Sequence, residues 1–300
     1  MRAGFGLRLR AALRERGQLC VGIDPHPGLL ARWGLDDDPA GLERFALGAV
    51  EALAGRVAVL KPQSAFFERH GAAGIAVLER VLAASAAAGA LSIVDAKRGD
   101  IGSTMQAYAE AYAGPGSPLA GDAVTASPYP GVGALRPLLR AARAAGRGVF
   151  VLALTSDPEG AGVQLARGPD GRTVAQAVVD AVAAENADGE GPDGGPGPFG
   201  VVVGLTTART GGLDLSRLRG PVLVPGLGAQ GGGAGDLRAL VGQAGAVPDD
   251  VLPTTSRDVL QAGPDPARLR EAAERALDAV RIVLSAPGSD PALPPGSATR

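Results

Sequence analysis

Between Leu91 and Thr104 the chain reads Leu-Ser-Ile-Val-Asp95-Ala-Lys97-Arg-Gly-Asp100-Ile-Gly-Ser-Thr, an apolar run that turns into alternating charge. Side chains two apart in a strand leave the same face, so Asp95 and Lys97 are expected to emerge together, with Asp100 in the loop that follows. The three can converge on one ligand. A second lysine, Lys61, closes an earlier apolar run, Val57-Ala-Val-Leu-Lys61-Pro-Gln. These are the only two lysines, which leaves 27 of the 29 basic residues as arginine. A guanidinium hardly deprotonates, whereas a compact ammonium has a tunable pKa and can deliver a proton. Where arginine serves every other basic position, the two lysines are the candidates for chemistry. The competing reading of Asp95, Lys97 and Asp100 alone is a solvated salt-bridge cluster.

These residues need a scaffold that presents strand ends side by side. Eight short β-rich runs are predicted at 19–23, 57–60, 91–96, 123–126, 148–154, 200–205, 222–225 and 251–254, most followed by a helical pattern. Several are continuous in Val, Ile, Leu and Ala, as expected of parallel strands buried on both faces. Leu42, Phe45, Ala46, Ala49 and Leu53 form one apolar helical stripe, and Leu135, Leu138, Leu139 and Ala142 another. Eight strand-helix units with charge at the strand ends favour a closed (β/α)8 barrel over an open doubly wound sheet. One domain is expected over residues 1–285, since 300 residues at 46% hydrophobic can fill a single large core. Residues 1–17 read as a short Arg-rich helix before the first strand. A Gly/Pro-rich stretch at 188–198 reads as a flexible surface insertion, and 286–300 as a disordered tail. The polar, Gly-rich loop 157–172 is long enough to form a lid.

Composition narrows the function classes. A formal charge of -2, from 29 basic and 31 acidic residues, supplies no global attraction to nucleic acid or anionic lipid. No apolar run approaches membrane-spanning length, and no secretory signal is apparent. The single cysteine, Cys20, reads as a small buried hydrophobe and suits a reducing cytoplasm. His26 and His70 are too few and too isolated to suggest a metal centre.

The pattern Asp95-x-Lys97-x-x-Asp100-Ile101 after a strand, with a strand-terminal Lys61 before it, resembles the signature of the orotidine 5′-monophosphate decarboxylase family. The resemblance extends from Gly22 to Asp258. It takes in Gly22-Ile-Asp24-Pro-His-Pro, Leu60-Lys61-Pro-Gln, Thr125-Ala-Ser-Pro-Tyr-Pro-Gly131, Leu154-Thr-Ser156-Asp-Pro and Pro225-Gly-Leu-Gly-Ala-Gln230-Gly-Gly. Its wording is similar to the longer bacterial branch of the family.

The resemblance implies decarboxylation of orotidine 5′-monophosphate (OMP) to uridine 5′-monophosphate (UMP) and carbon dioxide, in pyrimidine nucleotide synthesis, with no metal and no cofactor. Lys97 would be the general acid that protonates C6 of the pyrimidine, Asp95 would face the departing carboxylate, and Lys61 and Asp100 would complete the charge array. Asp24 would accept from ribose hydroxyls, and Ser156 would bond the pyrimidine ring. Ile101 and Thr104 would join the substrate-binding set. Gln230, in a glycine-rich loop, and Arg257, after the eighth strand, would hold the phosphate. The family resemblance also suggests a homodimer with shared sites, Asp100 crossing the twofold interface. Two enzymatic rivals share the barrel: a magnesium-dependent sugar-phosphate enzyme using the same Asp-x-Lys-x-x-Asp strand, and a Schiff-base aldolase. A nucleotide-binding protein without turnover is the rival from another class.

Overall fold

Every predicted strand forms, and the eight close on themselves. The computed structural model describes residues 3–187, 195–207, 212–228 and 232–284. Of the predicted insertion, residues 188–194 lie outside these, as do the tail 286–300 and Gln230. The strands are β1 (Cys20–Ile23), β2 (Val59–Pro62), β3 (Leu91–Arg98), β4 (Ala123–Ala126), β5 (Gly148–Leu154), β6 (Phe199–Val203), β7 (Val222–Pro225) and β8 (Val251–Thr255). Each pairs in parallel with the next, and β8 returns to β1 through Cys20↔Thr254 and Val21↔Thr255. The fold is a (β/α)8 barrel in one domain. Two strand limits differ from the sequence reading in a way that matters: β2 runs on to include Lys61, and β3 runs on through Lys97 to Arg98.

Helices α1 (Phe5–Arg16), α2 (Pro27–Arg32), α3 (Pro39–Leu53), α4 (Ser64–Glu68), α5 (Gly71–Ala87) and α6 (Gly102–Ala113) occupy the first half. They are followed by α7 (Arg136–Ala144), α8 (Ala161–Gln164), α9 (Val174–Ala187), α10 (Ala234–Gly242), α11 (Arg257–Leu260) and α12 (Pro266–Leu284). The stripe Leu42, Phe45, Ala46, Ala49 and Leu53 on α3 is buried, as is Leu138, Leu139 and Ala142 on α7. Asp38 caps α3 by accepting from the Gly41 amide at 2.7 Å, and Pro39 follows at the first helical position.

Two apolar cores result from the alternation of each strand. Outward-facing residues such as Val21, Leu60, Val94, Val124, Val151 and Val203 pack beneath the helices. Inward-facing Cys20, Val59, Ile93, Phe150, Leu223 and Leu252 fill the barrel interior together with Phe5, Leu9 and Leu13 of α1. The amino-terminal helix is therefore the plug of the barrel's lower end. Phe5 meets Phe150 edge-on with centroids 5.9 Å apart, and Gly148 makes room for it, since a Cβ there would stand 2.2 Å from the Phe5 ring. Arg8 pairs with Asp122 at 2.6 Å and Arg10 with Asp250 at 2.8 Å, which pins the helix from two sides. Because Phe5 is fully buried, Phe5→Ala should destabilise the fold by about 3–5 kcal/mol, read as a fall in urea midpoint. An unchanged midpoint would mean that α1 merely rests on the barrel.

Candidate active site

The same two-residue period that builds the inner core also builds the site. Moving two residues toward the carboxyl end from Cys20, Val59, Ile93 and Ala123 gives Gly22, Lys61, Asp95 and Thr125, so the inward layer changes from apolar to polar. Two more residues along β1 and β2 give Asp24 and Gln63. These side chains floor a cavity of about 440 Å³ at the carboxyl ends of the strands, with Ser156, Pro225 and Arg257 among the residues around it. Such an end is where (β/α)8 barrels place their chemistry.

Asp95 is the hub. Its Oδ2 accepts from Lys61 Nζ at 2.7 Å and Gln63 Nε2 at 3.2 Å, and its Oδ1 from Lys97 Nζ at 2.6 Å and Thr125 Oγ1 at 2.8 Å. Burial opposes ionisation of this carboxyl, but Lys61 and Lys97 outweigh it through charge and hydrogen bonding, and hold it well below the usual carboxylate range. Burial likewise disfavours the Lys61 ammonium, yet Asp95 and then Asp24 hold it above the ordinary lysine value. Both groups are therefore ionised throughout the neutral range. Lys97 is the outermost member, its side chain 44% exposed against 7% for Lys61. It faces the cavity while remaining tied to Asp95.

Lys97 reaches this position through irregular backbone. The β3–β4 register shifts between Val94 and Arg98, and Lys97 has a left-handed φ of 49°. Arg98 points elsewhere, pairing with Glu68 at 2.5 Å and lying over the rings of Tyr108 and Tyr112.

The expected local convergence of Asp95, Lys97 and Asp100 is not what forms within one chain. Asp100, Ile101 and Thr104 do not line the cavity of their own barrel. After β3, Gly99 passes so close to the Ser127 carbonyl that a Cβ would stand 2.1 Å from it. Asp100, the next residue, accepts from the Ile101 amide at 2.7 Å. Ile101 is 63% exposed, and Thr104 is exposed beside it.

The remaining predicted residues surround the cavity. Asp24 Oδ1 is buried without a hydrogen-bond partner, as is the hydroxyl of Ser256. Ser156 lies at the mouth, at the start of the expected lid. That segment contains α8, and Gln164 folds back on Thr155, accepting from its amide at 2.8 Å and donating to its hydroxyl at 2.9 Å. Arg257 is exposed at the rim beside Gly226, whose φ of 110° suits only glycine. His26 also lines the cavity, with its ring 4.2 Å from that of Phe66. Cys20 is fully buried in the layer beneath the array. Burial pushes its thiol up to about 12, against the opposing influence of Lys61 and Thr254, so it is an inert core residue.

Sequence reasoning passed over Gln63 and Thr125. Both stand in motifs it singled out, and each carried a partial signal: Gln63 lies two beyond Lys61, and Thr125 is the polar residue in the apolar run of β4.

Comparison with known proteins supplies the deciding observation: the family model described as "Orotidine 5'-phosphate decarboxylase / HUMPS family" matches residues 17–274. The chain belongs to this family. The curated orotidine 5′-phosphate decarboxylase of Salinispora arenicola is 60% identical over 94% of this chain and 98% of its own length. That of Streptomyces coelicolor is 55% identical over 94% and 99%. A Streptomyces avermitilis crystal structure assigned as an orotidine 5′-phosphate decarboxylase superposes with a TM-score of 0.88 at 54% identity, covering 95% of this chain and 97% of that one. The Leishmania donovani OMP decarboxylase superposes at 0.73 with 30% identity, over 94% and 100%.

Proposed function

We propose that the chain is an OMP decarboxylase, producing UMP and carbon dioxide for pyrimidine nucleotide synthesis in the cytoplasm. The observation that carries this reading is the Lys61–Asp95–Lys97 array at the carboxyl end of the barrel, in a chain 55–60% identical to curated orotidine 5′-phosphate decarboxylases. The C6–carboxylate bond breaks and leaves its electron pair on C6. Lys97 stabilises the developing charge, and then donates a proton from Nζ to C6. Asp95, paired on both sides, holds the Lys97 ammonium in place at 2.6 Å and faces the departing carboxylate. Lys61 balances the buried carboxylate and helps to hold the ribose. Ribose hydroxyls would satisfy the unpartnered Asp24 Oδ1, and Ser156 would bond the pyrimidine. Arg257 and Gln230 would hold the phosphate, and the loop bearing α8 would close over the base to exclude water.

No metal or cofactor is assigned a step. Two copies of the chain would form a homodimer, each lending Asp100, Ile101 and Thr104 to the other's cavity, which fits the exposure of Ile101 and Thr104 and the position of all three outside the lining of their own cavity. Loss of OMP absorbance, followed with and without EDTA, tests the reading. Turnover indifferent to the chelator supports it. Loss of activity in EDTA would favour a magnesium-dependent sugar-phosphate enzyme, and tight UMP binding without turnover would favour a binding protein.

Arg257→Ala should lower kcat/KM for OMP by roughly 10- to 100-fold, the worth of one or two charge-assisted hydrogen bonds, and barely affect orotidine lacking the phosphate. Remote binding energy of this kind holds the closed, reactive geometry. Equal losses on the two substrates would remove Arg257 from the phosphate site.

A further inference from the structure

We propose that Thr125 is a positioning residue for decarboxylation, one hydroxyl that sets both the tilt of the Asp95 carboxylate and the left-handed turn at Lys97. The inference rests on the decarboxylase reading above and adds to it a residue on the neighbouring strand. Thr125 lies on β4, 1% exposed, and its Oγ1 does two things. It accepts from the Lys97 backbone amide at 3.0 Å, and it donates to Asp95 Oδ1 at 2.8 Å. A hydroxyl has a single proton, and because an ionised carboxylate can only accept, that proton is committed to Asp95 while a lone pair serves the amide. The β-branched side chain has little χ1 freedom with which to leave this arrangement.

Both contacts compensate for something the regular barrel does not supply. At Lys97 the β3–β4 ladder is out of register, and φ is 49°, a conformation in which a non-glycine residue is disfavoured. The threonine side chain takes the place of the missing ladder acceptor for this amide, which holds the turn that aims the lysine into the cavity. At Asp95 the hydroxyl is the fourth donor, after Lys61, Gln63 and Lys97. Four donors occupy about the full accepting capacity of a carboxylate, so it cannot rotate about its own axis without losing partners. Removing the hydroxyl takes one of two donors from Asp95 Oδ1 and the acceptor from the Lys97 amide together.

The test compares Thr125→Val, which keeps the shape and loses the hydroxyl, with Thr125→Ser, which keeps the hydroxyl. In Thr125→Val, kcat for OMP should fall by about 10- to 100-fold, the scale of one hydrogen bond to an ionised group. The Kd for UMP, which has no carboxylate to place against the array, should change by less than about threefold, and Thr125→Ser should restore most of kcat. If Thr125→Val does not fold, Thr125→Cys, with similar volume and a weak donor, is measured in its place. Wild-type kcat in the valine or cysteine variant would overturn the proposal. So would a parallel loss of kcat and UMP affinity that serine does not repair, which is the mark of a merely structural role. A wild-type protein that leaves OMP intact would instead sink the decarboxylase reading itself.

Discussion

Lys97→Ala should lower kcat for OMP by about 10⁴-fold or more, the combined scale of a lost general acid and a lost charge stabiliser, in a protein that still folds and binds UMP. The reason is geometric. Both ammonium groups are tied to Asp95 and line the cavity, but Lys97, at 2.6 Å from the carboxylate, is the far more exposed of the two. Lys61 does not replace it, because it is buried against the other carboxylate oxygen, Oδ2, at 2.7 Å. Lys97→Arg should not rescue the activity. Arginine would keep the charge, but it brings a planar, bulkier cation that hardly gives up a proton. An absorbance assay for OMP loss, paired with UMP binding and thermal unfolding of each variant, separates chemistry from folding. Turnover near wild type in the arginine variant would refute the general-acid role.

The second large effect concerns Asp100 and is an experiment on mixed dimers. Lys97→Ala and Asp100→Ala chains should each be nearly inactive alone, and mixing them by unfolding and refolding together should restore activity. In a heterodimer, one site takes Lys97 from the Asp100 variant and Asp100 from the Lys97 variant, while the other site carries both lesions. With random pairing half the dimers are mixed and half of their sites are live. Recovered activity should approach about one quarter of wild type under a closed twofold symmetry. The displacement of Asp100 from its own cavity, with exposed Ile101 and Thr104 beside it, motivates the expectation. Verified heterodimers that recover nothing would place the action of Asp100 within its own chain.

Much of the barrel was legible in the residues because its rules are local. Continuous Val/Ile/Leu runs such as Gly148–Leu154 mark strands buried on both faces, and the α3 stripe from Leu42 to Leu53 marks a helix lying on them. The strand-end charges at Lys61, Asp95 and Lys97 were legible for the same reason, since a period of two predicts which face each leaves. Three things were decided only by the tertiary structure. The amino-terminal segment read as a short Arg-rich helix, but nothing in its own pattern says that Phe5, Leu9 and Leu13 enter the barrel to close its lower end. Asp100 is five residues from Asp95, near enough to suggest convergence, yet it does not line the cavity of its own barrel. Gln63 and Thr125 are separated from Asp95 by about thirty residues on either side, and no spacing rule within one segment could join them to it. Closure of the parallel sheet does so, because it fixes the height of each strand against its neighbours and so determines which inward side chains share a layer with the carboxylate.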